Sequence, residues 1–270
     1  MQTYLFEYSN KLKPLVKWSG GKGNEIKLFR HHYPSDFKVY VEPFVGGGAV
    51  FFDLNFKRNV ISDVHEGLVN FYQQIKNGKA IEIYNKVVCL GLDEESYYYV
   101  RDEMSTTDPV DRAVRFYYLR KTAFRGMLRY NKKGKFNIPW GRYKTINFEL
   151  IRDPWYTELL KKTDIRLSSF EDIFDEFDNE DNFMFLDPPY DSKFTDYGYC
   201  QFGREFQTKL ADLFKKSKNK CLMVIGDTEL IRELYEGYIS DSYHKKYMFK
   251  IHSGRVDDKI DNQHLVIKNY

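Results

Sequence analysis

The stretch Phe183-Met184-Phe185-Leu186-Asp187-Pro188-Pro189-Tyr190 (FMFLDPPY) gives the clearest indication of a fold in this chain. Its first four residues form an apolar run, which predicts a buried β-strand. A carboxylate, two prolines and an aromatic ring then follow where that strand ends. Because ligands of open α/β sheets bind beside the carboxyl ends of strands, this turn is a candidate site.

The residues of this turn suit a flat substrate that carries an amino group. Pro188 and Pro189 stiffen the chain and remove two backbone donors, so carbonyl groups remain to accept hydrogen bonds. The Asp187 carboxylate and a nearby carbonyl can accept both hydrogens of one amino group. Tyr190 offers a ring face on which a planar base such as adenine can stack. The alternative interpretation is a plain turn between a strand and a loop.

The N-terminal part of the chain predicts the opening of a doubly wound sheet. Residues 38–42 (KVYVE) indicate a strand, and a glycine-containing loop and a helix over 49–55 follow it. Residues 59–62 indicate a second strand that ends at Asp63, and a helix follows from about 65 to 76. This β-loop-α-β-α order is typical of α/β folds with a parallel sheet.

A mostly helical insertion is expected to divide this sheet. Residues 79–125 favour helices, one of them starting at Pro109 with Asp108 as its N-cap. Residues 126–144 predict a β-hairpin or ordered loop, because Asn131-Lys132-Lys133-Gly134 is a strong turn signal. Strands are then expected near 166–167, 183–186, 221–225 and 264–268. We therefore expect a catalytic domain of residues 1–76 and 165–270 and an inserted domain of residues 77–164.

Two glycine-rich segments and one carboxylate indicate a nucleotide-like cofactor. Gly46-Gly47-Gly48 follows the first strand, where glycines let the backbone approach a ligand closely. Asp63 ends the next strand, where a carboxylate can accept hydrogen bonds from ribose hydroxyls. Lys17-Trp18-Ser19-Gly20-Gly21-Lys22 adds an aromatic ring and a cation that can hold a carboxylate. Together with the Asp187 turn, these features describe a pocket for a nucleoside that bears an amino acid, such as S-adenosylmethionine. Each segment taken alone is more often structural.

The positive charge of the chain is concentrated in one segment. Eleven basic and no acidic residues lie between Arg112 and Lys144, although the net charge of the whole chain is only +3. Such a block is the electrostatic footprint of a polyanion-binding site. Aromatic and amide side chains are interleaved with the cations, which favours DNA over an acidic small molecule. The alternative is a solvated basic surface.

Composition narrows the class of protein. The chain has 270 residues with three widely spaced cysteines, which fit no disulfide or zinc framework and suggest a reducing compartment. There is no signal-peptide pattern and no run apolar enough to span a membrane. We expect a cytoplasmic or nucleoid-associated protein that is not secreted, binds no metal and does not contact a membrane.

With these segments in place, the chain resembles the Dam-type DNA adenine-N6 methyltransferases. The resemblance rests on motifs that occur in the family's order and span nearly the whole chain. These are LVKWSGGKGNEI (15–26), VYVEPFVGGGAVFF (39–52), VISDVHEGLVNFYQQIK (60–76), GMLRYNKKGKFNIPWGRYK (126–144), FMFLDPPY (183–190) and, loosely, FTDYGYCQFGREFQTKLADLF (194–214). It implies a Rossmann-like S-adenosylmethionine-dependent methyltransferase sheet with an inserted, mostly helical DNA-recognition domain.

The resemblance also implies roles for individual residues. The catalytic residues would be Asp187, Pro188, Pro189 and Tyr190. S-adenosylmethionine, whose product is S-adenosylhomocysteine, would contact Trp18, Lys22, Glu42, Phe44, Gly46, Gly48, Asp63 and Asp187. Double-stranded DNA would contact Arg125, Met127, Arg129, Asn131, Lys133, Asn137, Pro139, Arg142 and Tyr143. Arg129 matches an arginine that reads a guanine edge, which agrees with the commonest specific base contact.

The chain departs from the family pattern in three places. Arg125 stands before Gly126, where the family usually has Asn, and Gly226-Asp227 stands where Ser-Asn is frequent. Residues 249–256 also differ. The family resemblance implies GATC as the target, and Arg125 is the departure that bears on it, because that position lies at the DNA surface.

Other functions remain open at the level of sequence. One is methylation of cytosine N4 or of a protein glutamine, against which Asp187 argues because those enzymes more often have Ser or Asn there. Others are a DNA-binding relative that has lost catalysis and an enzyme acting on RNA. The expected partners are duplex DNA and a cognate restriction endonuclease, and we expect a monomer.

Overall fold

The computed structural model of the chain describes residues 12–190, 202–247 and 260–270. In this part of the chain the strands are β1 Val39–Glu42, β2 Asn59–Asp63, β3 Thr163–Leu167, β4 Asn182–Leu186, β5 Lys220–Gly226, β6 Ile239–Tyr247 and β7 Ile260–Lys268. The α-helices are α1 Ile26–Phe29, α2 Ala49–Leu54, α3 Glu66–Lys76, α4 Ala80–Val88, α5 Glu94–Asp102, α6 Pro109–Thr122, α7 Pro154–Lys161, α8 Phe170–Glu176, α9 Arg204–Lys216 and α10 Glu229–Leu234. Short 3-10 helices lie at Arg30–His32, Phe124–Gly126 and Glu149–Arg152.

The strands form one sheet in the order β3-β2-β1-β4-β5-β7-β6. The first five strands in this order are parallel. By contrast, β7 runs antiparallel to both β5 and β6. The predicted α/β class with a Rossmann-like sheet is thereby confirmed. Strand β6 is not among the strands expected from the sequence, and β7 begins at Ile260 rather than at the expected residue 264.

This strand order creates one topological switch point. The chain moves outward from β1 to β2 and β3, and then returns to the opposite side of β1 with β4. A crevice therefore forms beyond the carboxyl ends of β1 and β4, where ligands of such sheets bind. Glu42 ends β1 and Asp187 directly follows β4, so both carboxylates lie at this crevice.

Side chains of β4 alternate between two hydrophobic clusters, one on each face of the sheet. Phe183 and Phe185 join the cluster that contains α2, α3 and α6, whereas Met184 and Leu186 join the one that contains α8 and α9. This alternation is the two-residue repeat of a β-strand. Because both faces are covered, every residue of β4 is buried, which accounts for the continuous apolar run in the sequence.

The predicted insertion holds α4 to α7 and is tied to the sheet through a shared core. Helix α6 begins as predicted, because Asp108 accepts from the backbone N–H groups of Val110 and Asp111 at 2.8 and 3.0 Å, and Pro109 is its first residue. The same hydrophobic cluster runs from the sheet through α3 into α6. Strand β3 begins at Thr163, shortly before the expected boundary at residue 165.

A hairpin follows the short 3-10 helix Phe124–Gly126. Tyr130 and Phe136 form an antiparallel bridge, and the Asn131 N–H donates to the Lys135 carbonyl at 2.9 Å. Gly134 has φ +71°, a left-handed conformation that glycine adopts without steric cost. The turn predicted from Asn131-Lys132-Lys133-Gly134 is confirmed. None of the helices in the described ranges has the length and apolarity needed to cross a membrane.

Candidate active site and DNA interface

A cleft of about 1030 Å³ opens at the switch point of the sheet. It lies at the upper end of the usual size range of ligand pockets, about 300–1,000 Å³. The sequence-predicted residues that line it are Trp18, Lys22, Glu42, Phe44, Gly46, Gly48, Asp63, Arg125, Met127, Asp187, Pro188, Pro189 and Tyr190. The structure therefore brings all the predicted cofactor and catalytic positions together with two of the predicted DNA contacts.

Asp187 forms an ion pair with a lysine from the N-terminal segment. The Lys22 Nζ atom lies 2.5 Å from Asp187 Oδ1 and also donates to the Gly20 carbonyl at 3.0 Å. Burial raises the pKa of Asp187 above its ordinary value, and the Lys22 charge opposes that rise. The lysine side chain is only 1% exposed and the aspartate 20%. Lys22 thus favours the ionised carboxylate, which is acceptor-only.

The glycine loop has a shape that a side chain would destroy. Gly46 has φ +47°, and a Cβ atom there would lie 2.6 Å from the Trp18 ring. Gly48 has φ +68°, and a Cβ atom there would lie 2.9 Å from the Phe52 ring. The Tyr72 hydroxyl donates to the Gly46 carbonyl at 3.0 Å and fixes the loop from beneath. The loop therefore presents bare backbone to the cleft, with Trp18 packed on it.

Two further carboxylates at the strand ends are shielded from water. Asp63 accepts from the Gly46 and His65 backbone N–H groups at 3.0 and 2.9 Å. Burial raises the pKa of Asp63 to about 6, although these hydrogen bonds oppose the rise. Burial raises the pKa of Glu42 well above its ordinary value, even though the Tyr40 hydroxyl donates to it at 2.8 Å. Perturbed carboxylates grouped in a cleft are typical of functional sites.

The turn after β4 is held by side chains that the sequence did not single out. Gln207 of α9 is fully buried and donates to the Pro189 carbonyl at 2.8 Å. Tyr190 packs edge-on against the His264 ring, with centroids 5.3 Å apart. A Cβ atom at Gly226 would lie 3.0 Å from the Tyr190 ring. Gly226 therefore leaves room for this tyrosine. The contact that Gln207 makes with Pro189 had no signal in the sequence.

A buried polar cluster lies behind Lys22 and Tyr190, and the sequence did not indicate it. Its centre is Glu25, whose carboxylate lies 2.8 Å from His264 Nδ1 and 2.5 Å from Lys245 Nζ. The Tyr243 hydroxyl donates to the same carboxylate at 2.8 Å. Burial alone would raise the pKa of Glu25, but hydrogen bonding to His264 and the Lys22 charge hold it at about 2. The N-terminal segment and the last strands are thereby joined.

An aromatic wall forms one side of the cleft. Phe44, the only member predicted, packs on Phe170 with ring centroids 5.4 Å apart and on Phe202 at 5.7 Å. Phe206 stacks on Phe202 at 5.7 Å and is 39% exposed. Ser169 caps α8 next to this wall. Because the phenylalanines come from three distant segments, sequence spacing gave no sign that they would meet.

The predicted DNA-binding residues occupy the outer side of the hairpin and the turn before it. Arg125, Met127, Arg129, Lys133, Pro139 and Arg142 are exposed, and Tyr143 is partly buried with the Lys17 ammonium 4.3 Å from its ring centre. Arg125 and Arg142 have φ values of +55° and +56°. Arginine adopts this left-handed conformation less readily than Asn or Gly, so both positions are strained.

The two predicted asparagines hold the hairpin together from within. The Asn131 side chain accepts from the Lys133 and Lys135 backbone N–H groups at 2.9 and 3.1 Å. The Asn137 side-chain oxygen accepts from Arg129 Nε at 2.9 Å. Asn137 therefore orients the arginine that is expected to read guanine, and Asn131 shapes the turn beside it.

The first three arginines of the basic block make contacts within the protein. Arg112 is paired with Glu66 at 3.0 Å, and Arg115 donates to the carbonyls of Val100 and Arg101. Arg120 is 1% exposed, so it has no access to a DNA backbone. These three belong to α6, whose inner face packs into the core. The exposed members are Arg125, Arg129, Lys132, Lys133, Lys135, Arg142 and Lys144.

Arg120 instead joins two separate backbone segments. Its guanidinium donates to the carbonyls of Lys17, Gly126 and Met127, the last two at 2.6 and 2.7 Å. It also lies 5.4 Å from the centre of the Trp18 ring. The residue therefore fixes the start of the hairpin against the segment that carries Trp18 and Lys22.

Comparison with known proteins agrees with this geometry. A family model described as "D12 class N6 adenine-specific DNA methyltransferase" matches residues 18–253. This match covers most of the chain, including both glycine-rich segments, the hairpin and the turn after β4. The chain belongs to the D12 class N6 adenine-specific DNA methyltransferases.

Relatives of this D12-class methyltransferase match most of its length. It is 56% identical over 261 residues to the Type II methyltransferase M.CviBI of Paramecium bursaria Chlorella virus NC1A, spanning 96% of this chain and 100% of that relative. It is 34% identical over 291 residues to the Type II methyltransferase M.MjaIII of Methanocaldococcus jannaschii, with 96% and 100% covered. It is 32% identical over 241 residues to a DNA adenine methylase of Haemophilus influenzae, with 84% of each covered.

Membership of the D12 class confirms the family that the motifs indicated. The family methylates adenine N6 in DNA and takes its methyl group from S-adenosylmethionine. Among the alternatives, the family description therefore favours adenine over cytosine N4 or protein glutamine. Residues 249–256, which differ from the family pattern, and positions 194–201, which match it loosely, lie outside the described residues, so what the sequence predicts for both stays a prediction.

The Arg120 contacts predict a large loss of stability on substitution. Arg120→Met would leave buried carbonyls without donors, at about 1–3 kcal/mol for each unsatisfied group. With three such carbonyls, we expect the free energy of unfolding in urea to fall by at least about 3 kcal/mol. Arg58→Met is the matched control, since Arg58 is exposed. Equal stability of the two variants would contradict the role given to Arg120.

Proposed function

We propose that this chain transfers the methyl group of S-adenosylmethionine to adenine N6 in a short duplex DNA motif, with the target base flipped out of the helix. The single observation that carries the proposal is the shared cleft. Asp187 and Tyr190 line it together with Arg125 and Met127, which begin the basic hairpin. A base leaving a duplex bound along the hairpin would therefore reach the turn after β4.

The residues of the cleft fit S-adenosylmethionine. Asp63 offers an ionisable carboxylate to ribose hydroxyls, and the left-handed Gly46 and Gly48 keep the loop clear of side chains. The Phe44–Phe170–Phe202 wall supplies apolar surface for an adenine ring. Lys22 supplies a positive charge for an amino acid's carboxylate, and the buried Glu42 supplies acceptor oxygens for its ammonium group. When bound, this cofactor supplies an electrophilic methyl group.

The catalytic residues act by making the adenine amino group more nucleophilic. Its nitrogen lone pair is delocalised into the ring, which makes it a poor nucleophile. Hydrogen bonds from both N6 hydrogens, to the Asp187 carboxylate and the Pro188 carbonyl, favour a tetrahedral nitrogen with a localised lone pair. Gln207 and Lys22 keep these acceptors in place through their contacts with Pro189 and Asp187. Alignment of the two reactants then accounts for much of the rate.

The position of Asp187 supports base flipping. Asp187 lies within the cleft at the end of β4, where an adenine stacked inside a duplex cannot reach it. Unstacking costs a few kcal/mol, and stacking on Tyr190 offsets part of that cost. The exposed cations of the hairpin region would neutralise phosphates, so DNA affinity should depend strongly on salt.

The remaining expectations are part of the same proposal. Residues 77–164 would form the target-recognition domain, and the enzyme would act as a monomer. The names of the Type II relatives support a restriction-modification role with a cognate endonuclease. Mismatch marking and a role in a virus or phage are compatible with the same site.

The first test is methyl transfer from labelled S-adenosylmethionine to unmethylated genomic DNA, with modified positions mapped by long-read sequencing. N6-methyladenine at one short motif would support the proposal, and absence of transfer by the folded protein would refute it. GATC is the motif to examine first, because the family resemblance implies it. A different motif would point to Arg125, whose strained backbone places it at the mouth of the cleft.

Removal of the Asp187 carboxylate should abolish catalysis without unfolding the protein. We expect Asp187→Ala to lower kcat by at least about a thousandfold, since it removes an interaction made with the reacting group. Single-turnover methylation of the mapped motif measures this effect. Asp181→Ala, at the exposed opposite end of β4, is the matched control and should retain activity. Normal turnover by Asp187→Ala would refute the mechanism.

The raised pKa of Asp63 should make cofactor binding depend on pH. Because its pKa is about 6, the carboxylate gains a proton as pH falls below 6 and becomes a weaker acceptor for hydroxyls. We expect the affinity for S-adenosylhomocysteine to fall by up to about tenfold per pH unit below 6. Calorimetry between pH 5 and 7.5 measures it. Asp63→Asn should bind S-adenosylhomocysteine weakly and without this dependence on pH. If the variant keeps the pH dependence of the wild type, Asp63 does not have this role.

Arg129 should contribute to sequence discrimination more than to general affinity. We expect Arg129→Ala to cost about 1–3 kcal/mol of discrimination at one G·C pair, because a bidentate guanine contact is lost. Lys132 is an exposed neighbour in the turn. Lys132→Ala should instead weaken binding to all sequences and reduce the slope of log affinity against log salt concentration by about the value of one phosphate contact. Competition binding with substituted duplexes separates the two. An equal loss on cognate and non-cognate DNA would show that Arg129 contacts only phosphate.

A further inference from the structure

His65 lies where the cofactor side of the cleft meets the recognition hairpin. It is the residue before α3, it is 7% exposed, and its ring is enclosed by three aromatic side chains. The distances between ring centroids are 5.6 Å to Trp18, 5.5 Å to Phe116 and 5.7 Å to Tyr130. None of the motifs considered above assigns a role to this histidine.

Both ring nitrogens of His65 are engaged, and the contacts define the tautomer. Nδ1 accepts from the Leu68 backbone N–H at 3.1 Å and so caps α3. A nitrogen that accepts carries no proton, so the hydrogen of the neutral ring is on Nε2. Nε2 then donates to the Tyr130 hydroxyl oxygen at 2.7 Å. Burial and the nearby Arg120 charge lower the pKa of His65 to about 4, which keeps the ring neutral near pH 7.

The backbone of His65 is hydrogen-bonded to a residue on the cofactor side of the cleft. Its N–H donates to Asp63 Oδ1 at 2.9 Å, and the other oxygen of Asp63 accepts from Gly46 of the glycine loop at 3.0 Å. A ligand that repositions the Asp63 carboxylate or this loop therefore acts on the residue that holds Tyr130.

The side chain of His65 contacts the hairpin through Tyr130. Tyr130 follows Arg129 and pairs with Phe136 across the hairpin, with the two rings 5.8 Å apart. Successive side chains of an extended chain point to opposite sides. The inward contact of Tyr130 therefore helps to set the outward direction of Arg129, which is exposed.

We propose that His65 is a positioning residue that couples occupancy of the cofactor site to the placement of the recognition hairpin on DNA. The proposal rests on the function proposed above. Binding energy at Asp63 is transmitted through the His65 backbone to its ring, and from Nε2 to the Tyr130 hydroxyl. Coupling of this kind is reciprocal, so DNA should also tighten binding of the cofactor.

Two substitutions break this link with little other change. Tyr130→Phe removes only the hydroxyl oxygen that accepts from His65. His65→Asn retains an oxygen that can cap α3 but cannot extend to Tyr130. Tyr99→Phe is the matched control, because it removes a hydroxyl from a tyrosine that is 51% exposed on α5.

The test measures DNA affinity at fixed salt, with and without saturating S-adenosylhomocysteine, for the mapped motif and for a duplex that lacks it. We expect S-adenosylhomocysteine to raise the affinity of the wild-type protein for the motif by a factor of about 5 to 150, the range seen for coupled sites. Tyr130→Phe and His65→Asn should each abolish most of this increase in affinity. The double variant should lose no more of the increase than either single variant does. Their affinities for each ligand separately should stay within about threefold of wild type, and Tyr99→Phe should retain the full factor.

Three results would overturn the proposal. They are no coupling in the wild type, full coupling in Tyr130→Phe, and additive losses in the double variant. If His65→Asn fails to fold, the first two results still decide, because they need only the wild type and Tyr130→Phe. Failure of the proposed function is a separate result, because wild-type protein would then show no methyl transfer in the mapping experiment whatever its coupling factor.

Discussion

The arrangement of the cleft depends on one buried arginine. Arg120 donates to carbonyls of the N-terminal segment and of the turn at Gly126 and Met127. These segments have few regular hydrogen bonds of their own, so an interior guanidinium with several donors in a fixed geometry satisfies them together. The segment bearing Trp18 and Lys22 and the start of the hairpin thereby form adjacent walls of a single cleft. One side chain therefore holds both walls in their relative positions.

Electrostatics then divides the cleft into regions with different tasks. Three carboxylates converge at the strand ends, and burial raises the pKa of each, but their partners differ. Asp187 has the Lys22 ammonium, Asp63 has backbone N–H groups, and Glu42 has a tyrosine hydroxyl. Fixed partners of this kind allow acceptors to be ready before a substrate arrives, which lowers the reorganisation needed during reaction.

The basic segment shows how the fold assigns different tasks to residues of one type. On α6 the arginines turn inward or pair with an acid and stabilise the packing of the insertion on the sheet. Beyond Gly126 the chain forms a hairpin, whose outward positions remain exposed while Leu128, Phe136 and Ile138 are buried. Charge density along the sequence located the segment that carries the exposed cations. It did not indicate which basic residues of that segment are exposed and which are buried.

The sequence alone determined the α/β class, the strand that leads to Asp187, the cap of α6 and the turn of the hairpin, because short-range patterns govern each of these. It also indicated that the glycine loop, Asp63 and the turn after β4 belong to one pocket, through the rule for parallel strand ends. Only the tertiary structure revealed the burial of Arg120, the support of Pro189 by Gln207, the aromatic wall and the contact of His65 with Tyr130. These features join residues far apart in the chain, and whether a side chain is buried or exposed depends on such distant partners rather than on its neighbours in sequence.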